Sequence, residues 1–363
     1  MFENVGAKPN ETINPEDKEL SEKYVELAKK KFEIKEYDSC LKLLNMAIDV
    51  DSSNCYAYIE RSKVRGVLED YNGAKSDKKM AQVLLSNLDE GLSSNEKAGV
   101  EYDKGNYTEA IKHYNNAISL LPNIQSNYFY RGCSKLYLDD YQGALSDFNH
   151  TIELNGEFKA DALNNRSEIK SLHLNDKSGA LQDVNEAIEL KPDDESFYYN
   201  RSLLQDNYER IKSLNSAIEI NPNNSEYYLS RFIANYKMQD YKASVLDISK
   251  YIELNEPTDT SISEAYTFRA GIKIHLNDLT GSLNDHNMAV SSDGVNEKTY
   301  FERAMLKAIL SEEKEAILDL DIAIKINNKY GEAYYERGLL KQSIGMDLDG
   351  RKDLEIAQSL GFK

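Results

Sequence analysis

The chain is 363 residues long, 40% hydrophobic and 29% charged, with 6 Pro, 18 Gly and an aromatic set of 25 Tyr, 10 Phe and no Trp. Acids outnumber bases 62 to 44, for a net charge of −18. That balance excludes nucleic acid as a partner and disfavours an anionic membrane surface, because both need Lys and Arg to displace counterions. It favours encounter with basic partners.

No stretch approaches the roughly 18 apolar residues that span a bilayer, so no membrane insertion is expected. The first twenty residues, MFENVGAKPNETINPEDKEL, carry five acids and no apolar core, unlike a secretory leader. Cys40, Cys55 and Cys133 lack metal-type spacing and read as reduced thiols in a cytoplasmic protein.

Self-comparison shows the organisation. Ala47, Ala81, Ala117, Thr151, Ala187, Ala217, Tyr251, Ala289, Ala323 and Ala357 follow one another at gaps of 34, 36, 34, 36, 30, 34, 38, 34 and 34. The fourth repeat, SNYFYRGCSKLYLDDYQGALSDFNHTIELN, has helical spacing in both halves around the polar turn Asp139-Asp140-Tyr141. Its helix residues are read as Tyr128, Gly132, Lys135 and Leu136, then Ala144, Phe148, Thr151 and Ile152, all taken as apolar or small positions. Gly132 and Ala144 are placed where two helices approach closely. Pro122, Pro192 and Pro222 end second helices.

In period, and in this small–aromatic–small–Pro pattern, the chain resembles the tetratricopeptide-repeat family. TYFERAMLKAILSEEKEAILDLDIAIKINN and AYYERGLLKQSIGMDLDGRKDLEIAQSLG match it closely. The resemblance implies an all-α fold, a right-handed α-solenoid superhelix of antiparallel helix-turn-helix repeats. The approximate repeats are 21–54, 55–90, 91–124, 125–159, 160–194, 195–224, 225–262, 263–296, 297–330 and 331–363. Residues 1–20 form a polar tail expected to be flexible.

Arg and Asp travel together through the array. Arg61, Arg131, Arg166, Arg231, Arg269, Arg303 and Arg337 are followed sixteen or seventeen residues on by Asp77, Asp147, Asp183, Asp247, Asp285, Asp319 and Asp353. Repeat three has Lys97 and His113 instead, so the acid vanishes where the Arg does. Structural ion pairs across each hairpin are expected. Repeat six is irregular: Arg201 lies four residues closer than usual to the next small position, Ala217, and Ser213 replaces the Asp. Four residues are about one helical turn. Four extra residues occur near Pro257.

No catalytic, phosphate-binding or metal-binding motif is present. His113, His150, His173, His275 and His286 fall in separate repeats. No enzyme activity, cofactor or metal is expected.

The resemblance implies that first helices line a concave groove, through residue pairs four apart. These are Val25/Lys29, Ile59/Lys63, Asn95/Gly99, Phe129/Cys133, Asn164/Glu168, Tyr199/Leu203, Leu229/Ile233, Thr267/Gly271, Phe301/Met305 and Tyr335/Leu339. Lys29, Lys63 and Asn95 match in part the set with which family members grip a C-terminal carboxylate. From Phe129 onward the row is largely apolar, interrupted at repeats five and eight. Phe129, Tyr199, Phe301 and Tyr335 are the expected anchors. Residues in such a row can instead pack on neighbouring repeats.

The implied function is a protein-interaction scaffold, an adaptor or chaperone-like binder of a basic or amphipathic peptide. Alternatives are a peptide-responsive regulatory receptor, a non-catalytic subunit of an enzyme complex, and a self-association surface.

Overall fold

The computed structural model describes residues 15–255, 260–292 and 296–362. Every regular element among them is an α-helix, nineteen in all. Contacts divide the chain into two compact units, Met1–Lys191 and Pro192–Lys363, described separately below.

In the N-terminal unit, α1 (Pro15–Glu33) packs on α2 (Tyr37–Val50). Next, α3 (Cys55–Val67) packs on the start of α4 (Tyr71–Asp103), whose end packs on α5 (Tyr107–Leu120). Then α6 (Gln125–Tyr137) pairs with α7 (Tyr141–Glu153), and α8 (Lys159–His173) with α9 (Lys177–Leu190). In the C-terminal unit, α10 (Glu195–Leu203) pairs with α11 (Asn207–Ile220), and α12 (Ser225–Lys237) with α13 (Tyr241–Leu254). The series continues with α14 (Thr260–His275) on α15 (Leu279–Ser292), α16 (Glu297–Ile309) on α17 (Glu313–Ile326), and α18 (Gly331–Ser343) on α19 (Asp347–Ser359). Each unit is thus a stack of antiparallel hairpins, an α-solenoid.

The hairpin turn follows from local chemistry. In the fourth, Asp139 adopts φ 60°. The Asp140 N–H donates to the Lys135 carbonyl at 2.9 Å and the Asp139 N–H to Leu136 at 3.0 Å, closing α6 with a left-handed cap. The Asp140 carboxylate then accepts the Gly143 N–H at 3.0 Å and starts α7. One short segment therefore ends one helix and begins its antiparallel neighbour. Lys35, Glu69, Gly105 and Asn175 hold the same left-handed place in the N-terminal unit, and Gln239, Asn277, Ser311 and Gly345 in the C-terminal one.

The sixth hairpin is built differently. Its first helix, α10, has 9 residues where α12 has 13, one turn fewer. Asp206, at φ −68°, caps α11 through the Tyr208 and Glu209 N–H groups.

Small residues keep the hairpins close. Ala47, Ala117, Thr151, Ala187, Ala217, Ala289, Ala323 and Ala357 have no exposed surface. At Gly132 an added Cβ would lie 2.8 Å from the Phe148 ring.

Two expectations about boundaries change. The junction near residues 90 and 91 is no break: α4 runs 33 residues without interruption, about 50 Å. Residues 81–99 contain no Pro, so nothing halts the i→i−4 ladder. Residues 15–20, expected as part of a polar tail, belong to a helix. Helix α1 already begins at Pro15, with Glu16 and Asp17 in its first turn, a residue set suited to a helix N-terminus. Residues 1–14 and the extra segment around Pro257 lie outside the described residues.

Candidate functional site

The Arg–Asp couples are the most regular polar feature. Each guanidinium takes its Asp carboxylate with Nε and Nη2; the Nη2 contact is 2.8 Å for Arg61–Asp77, 2.7 Å for Arg166–Asp183, and 2.6 Å for Arg231–Asp247, Arg269–Asp285, Arg303–Asp319 and Arg337–Asp353. Arg131 holds Asp147 the same way. The Asp side chains are almost fully buried.

Three further partners are absent from the sequence reading. Four residues after the Arg, a second donor reaches the same Asp: Arg65, Lys135, Lys170, Asn235, Lys273, Lys307 or Lys341. Lys135, expected at an apolar position, is therefore an ion-pair partner. The remaining nitrogen, Nη1, reaches back to the preceding hairpin, to Asn45, Asn115, Asn149, Asn215, Ser249, Asn287 or Asp321. A Tyr three residues upstream lies 5.2–5.6 Å beneath most of the guanidinium groups, as with Tyr300 under Arg303. With its three nitrogens and one face engaged, such an Arg serves the array and offers little to an incoming anion.

The groove positions divide into two classes. The first member of each pair is buried or half-buried, and the aromatic ones pack on an aromatic of the following hairpin or terminus. Ring centroids are 5.0 Å apart for Phe129–Phe158, 5.2 Å for Tyr199–Tyr227, 5.1 Å for Phe301–Tyr330 and 5.3 Å for Tyr335–Phe362. Leu229 joins the core formed around Tyr228 and Phe232.

The second member faces outward more often. In the C-terminal unit this row is apolar: Leu203 is 54% exposed, Ile233 39% and Leu339 40%, with Met305 half-buried. In the N-terminal unit it holds Lys29 and Lys63, each 2.6–2.7 Å from a Glu on its own helix, Glu26 and Glu60. Asn95 is half-buried on α4. Two lysines already neutralised are a poor start for a carboxylate grip.

Repeat eight breaks the row with Thr267 and Gly271, and there a cavity of about 630 Å³ opens between α14 and α16. Nothing lies within 4 Å of the place a Gly271 Cβ would occupy. Phe301, Met305, Ile272, Leu306 and Ile309 supply apolar walls, Glu264, Glu302 and Lys298 charge, and His286 of α15 a polar wall. His286 is 2% exposed and its Nδ1 has no partner. Burial, offset in part by Asp285 and reinforced by Arg303, lowers its pKa to about 4, so the ring is neutral at pH 7. Burial also raises the Glu302 pKa, against the pull of Lys298 at 3.6 Å.

His286 is one of five histidines scattered over the repeats, and the repeat register sets it apart. After the Asp of the other repeats stand Phe148, Val184, Ile248, Leu320 and Leu354, all apolar, and in repeat two Lys78. The recurring His173 and His275 stack on Tyr141 and Tyr241, at 3.5 and 4.7 Å. Cys40, Cys55 and Cys133 are free and buried, and burial pushes the Cys133 thiol up to about 12. Among the described residues no group of three His, Cys, Asp or Glu side chains is placed to hold a metal, and no helix is long and apolar enough to cross a membrane.

No family model matches the chain. Its fold is similar to the C-terminal part of a TPR repeat-containing protein from Cytophaga hutchinsonii, at 16% identity over 66% of this chain and 98% of that one, with a TM-score of 0.56. It is also similar to a tetratricopeptide repeat protein from Parabacteroides merdae, at 18% identity over 69% and 99%, TM-score 0.45. A third is YrrB, described as a TPR protein with an unusual peptide-binding site, at 15% identity over 49% and 91%, TM-score 0.43. At these identities the likeness is one of fold.

Proposed function

This chain has the tetratricopeptide-repeat fold, and from that premise we propose that it is a protein-interaction scaffold, binding a peptide or partner-protein segment along its first helices without chemistry of its own. The observation that carries the reading is the outward apolar row of the C-terminal unit, Leu203, Ile233 and Leu339, with the half-buried Met305 and the cavity beside it. Exposed apolar side chains aligned along successive helices cost solvation that an extended segment or an amphipathic helix recovers. The acidic excess favours a basic or amphipathic partner. Buried, unpaired thiols suit a reducing compartment such as the cytoplasm.

The half-buried aromatics make poor probes, because truncating Phe129 or Phe301 would also loosen hairpin stacking. The exposed pair is cleaner. Proteins retained from a lysate by the wild-type chain are identified, purified and titrated directly against wild type and Ile233→Ser/Leu339→Ser. Loss of binding at an unchanged melting midpoint supports the groove; equal binding by both removes it.

A further inference from the structure

The cavity between α14 and α16 exists because of two small residues. Along the C-terminal unit the neighbouring groove pairs are Leu229/Ile233 and Phe301/Met305, and only here do they shrink to Thr267/Gly271. Its volume of about 630 Å³ falls within the range of roughly 300–1,000 Å³ typical of ligand pockets. Apolar packing was not restored from below either, since the buried His286 stands where five repeats with the Asp place Phe148, Val184, Ile248, Leu320 and Leu354.

We propose that this cavity recognises a basic–apolar peptide motif, with a bulky aliphatic or aromatic side chain seated over Gly271 and an adjacent Lys or Arg paired with Glu302 and Glu264. This rests on the scaffold reading and names what the scaffold selects.

Shape and charge agree on the occupant. The walls next to Gly271 are apolar, through Ile272, Phe301 and Met305, which favours a side chain of that kind. The acids Glu264 and Glu302 face one Lys298, whose side chain is 72% exposed. Glu302 is partly desolvated, its side chain 31% exposed, so an arriving cation replaces solvation it has lost. His286 is neutral and adds no repelling charge at pH 7. Its unpartnered Nδ1 is a further polar cost that a bound polar group can relieve.

Two fluorescein-labelled octapeptides, Gly-Ser-Lys-Leu-Phe-Lys-Ser-Gly and the same sequence with both Lys replaced by Glu, are titrated against the full chain by fluorescence anisotropy. The basic peptide is expected to bind at least about tenfold tighter. Gly271→Leu fills the cavity and is expected to weaken that binding by about tenfold or more. Leu is a better helix former than Gly and enters open space, so the melting midpoint should not fall. Glu302→Gln should narrow the difference between the peptides. Equal affinities, no binding of the basic peptide, or unchanged binding by Gly271→Leu each overturn the proposal. If they do so while Ile233→Ser/Leu339→Ser still loses its purified partner, the scaffold reading stands and the cavity alone falls.

Discussion

Arg303 places Nε 2.8 Å and Nη2 2.6 Å from the two carboxylate oxygens of Asp319, while its Nη1 lies 3.0 Å from Asn287 of the preceding hairpin. One guanidinium thus joins two helices of its own hairpin and the hairpin before it. Asp319 is 3% exposed and also accepts from Lys307 at 2.7 Å. At Asp353, the counterpart in the last hairpin, burial tends to raise the pKa, but hydrogen bonds from Arg337 and Lys341 outweigh it and lower it.

Removing one side of such a couple strands buried charge. Asp319→Leu is expected to cost roughly 3–5 kcal/mol. Arg303→Leu/Asp319→Leu should cost distinctly less than the sum of the two single changes, because no partner is left unpaired. Urea unfolding of the four proteins in the cycle measures the coupling, and simple additivity would mean that the pair is not one energetic unit.

His286 should make stability depend on pH. Its folded pKa of about 4 lies below the ordinary imidazole value of 6.5. The unfolded chain therefore binds the proton first, and stability present above pH 6.5 is lost as pH falls toward 4. The full difference is about 3 kcal/mol. Replacing the ring with the Leu that repeat nine carries, His286→Leu, should flatten this part of the profile in unfolding titrations between pH 7 and 4. An unchanged profile would show that the ring reaches solvent when charged.

Asn127 is fully buried in α6, and neither its Oδ1 nor its Nδ2 has a partner. The equivalent place, four residues before the Arg, is Ala57, Ala162, Ala265 and Ala333 in four other repeats, and Phe197, Tyr227 and Thr299 in three more. Asn127→Ala is expected to stabilise the chain by about 1 kcal/mol, since an unsatisfied buried amide costs roughly 1–3 kcal/mol. A lower melting midpoint in the variant would reveal a partner for the amide, such as a buried water.

Two glycines in first helices should respond in opposite directions. At Gly132 a methyl group would meet Phe148 at 2.8 Å and the Asp147 Cβ at 3.2 Å, so Gly132→Ala is expected to cost about 1–3 kcal/mol. Gly271 faces open space, and Gly271→Ala should add about 0.5–1 kcal/mol through helix propensity. Paired thermal melts check both, and equal shifts would contradict the packing difference.

The sequence alone determined the hairpin period, the helical class and the Arg–Asp register, because each recurs at fixed spacing and ten copies average away local noise. The shortened sixth hairpin was equally legible, as a deletion of one turn. Tertiary structure decided the rest. Lys135 looked like part of an apolar face, yet its long side chain reaches Asp147 across the hairpin. A helix continuing from Tyr71 to Asp103 follows from the lack of any stop signal, whereas period counting placed a boundary inside it. Phe129 and Tyr335 were assigned to the groove by position, but ring contacts with Phe158 and Phe362 depend on how successive hairpins stack. The cavity is the clearest case. In the sequence Thr267 and Gly271 only interrupt an apolar row and His286 is one of five scattered histidines; the space between α14 and α16 turns two missing side chains and one misplaced ring into a candidate site.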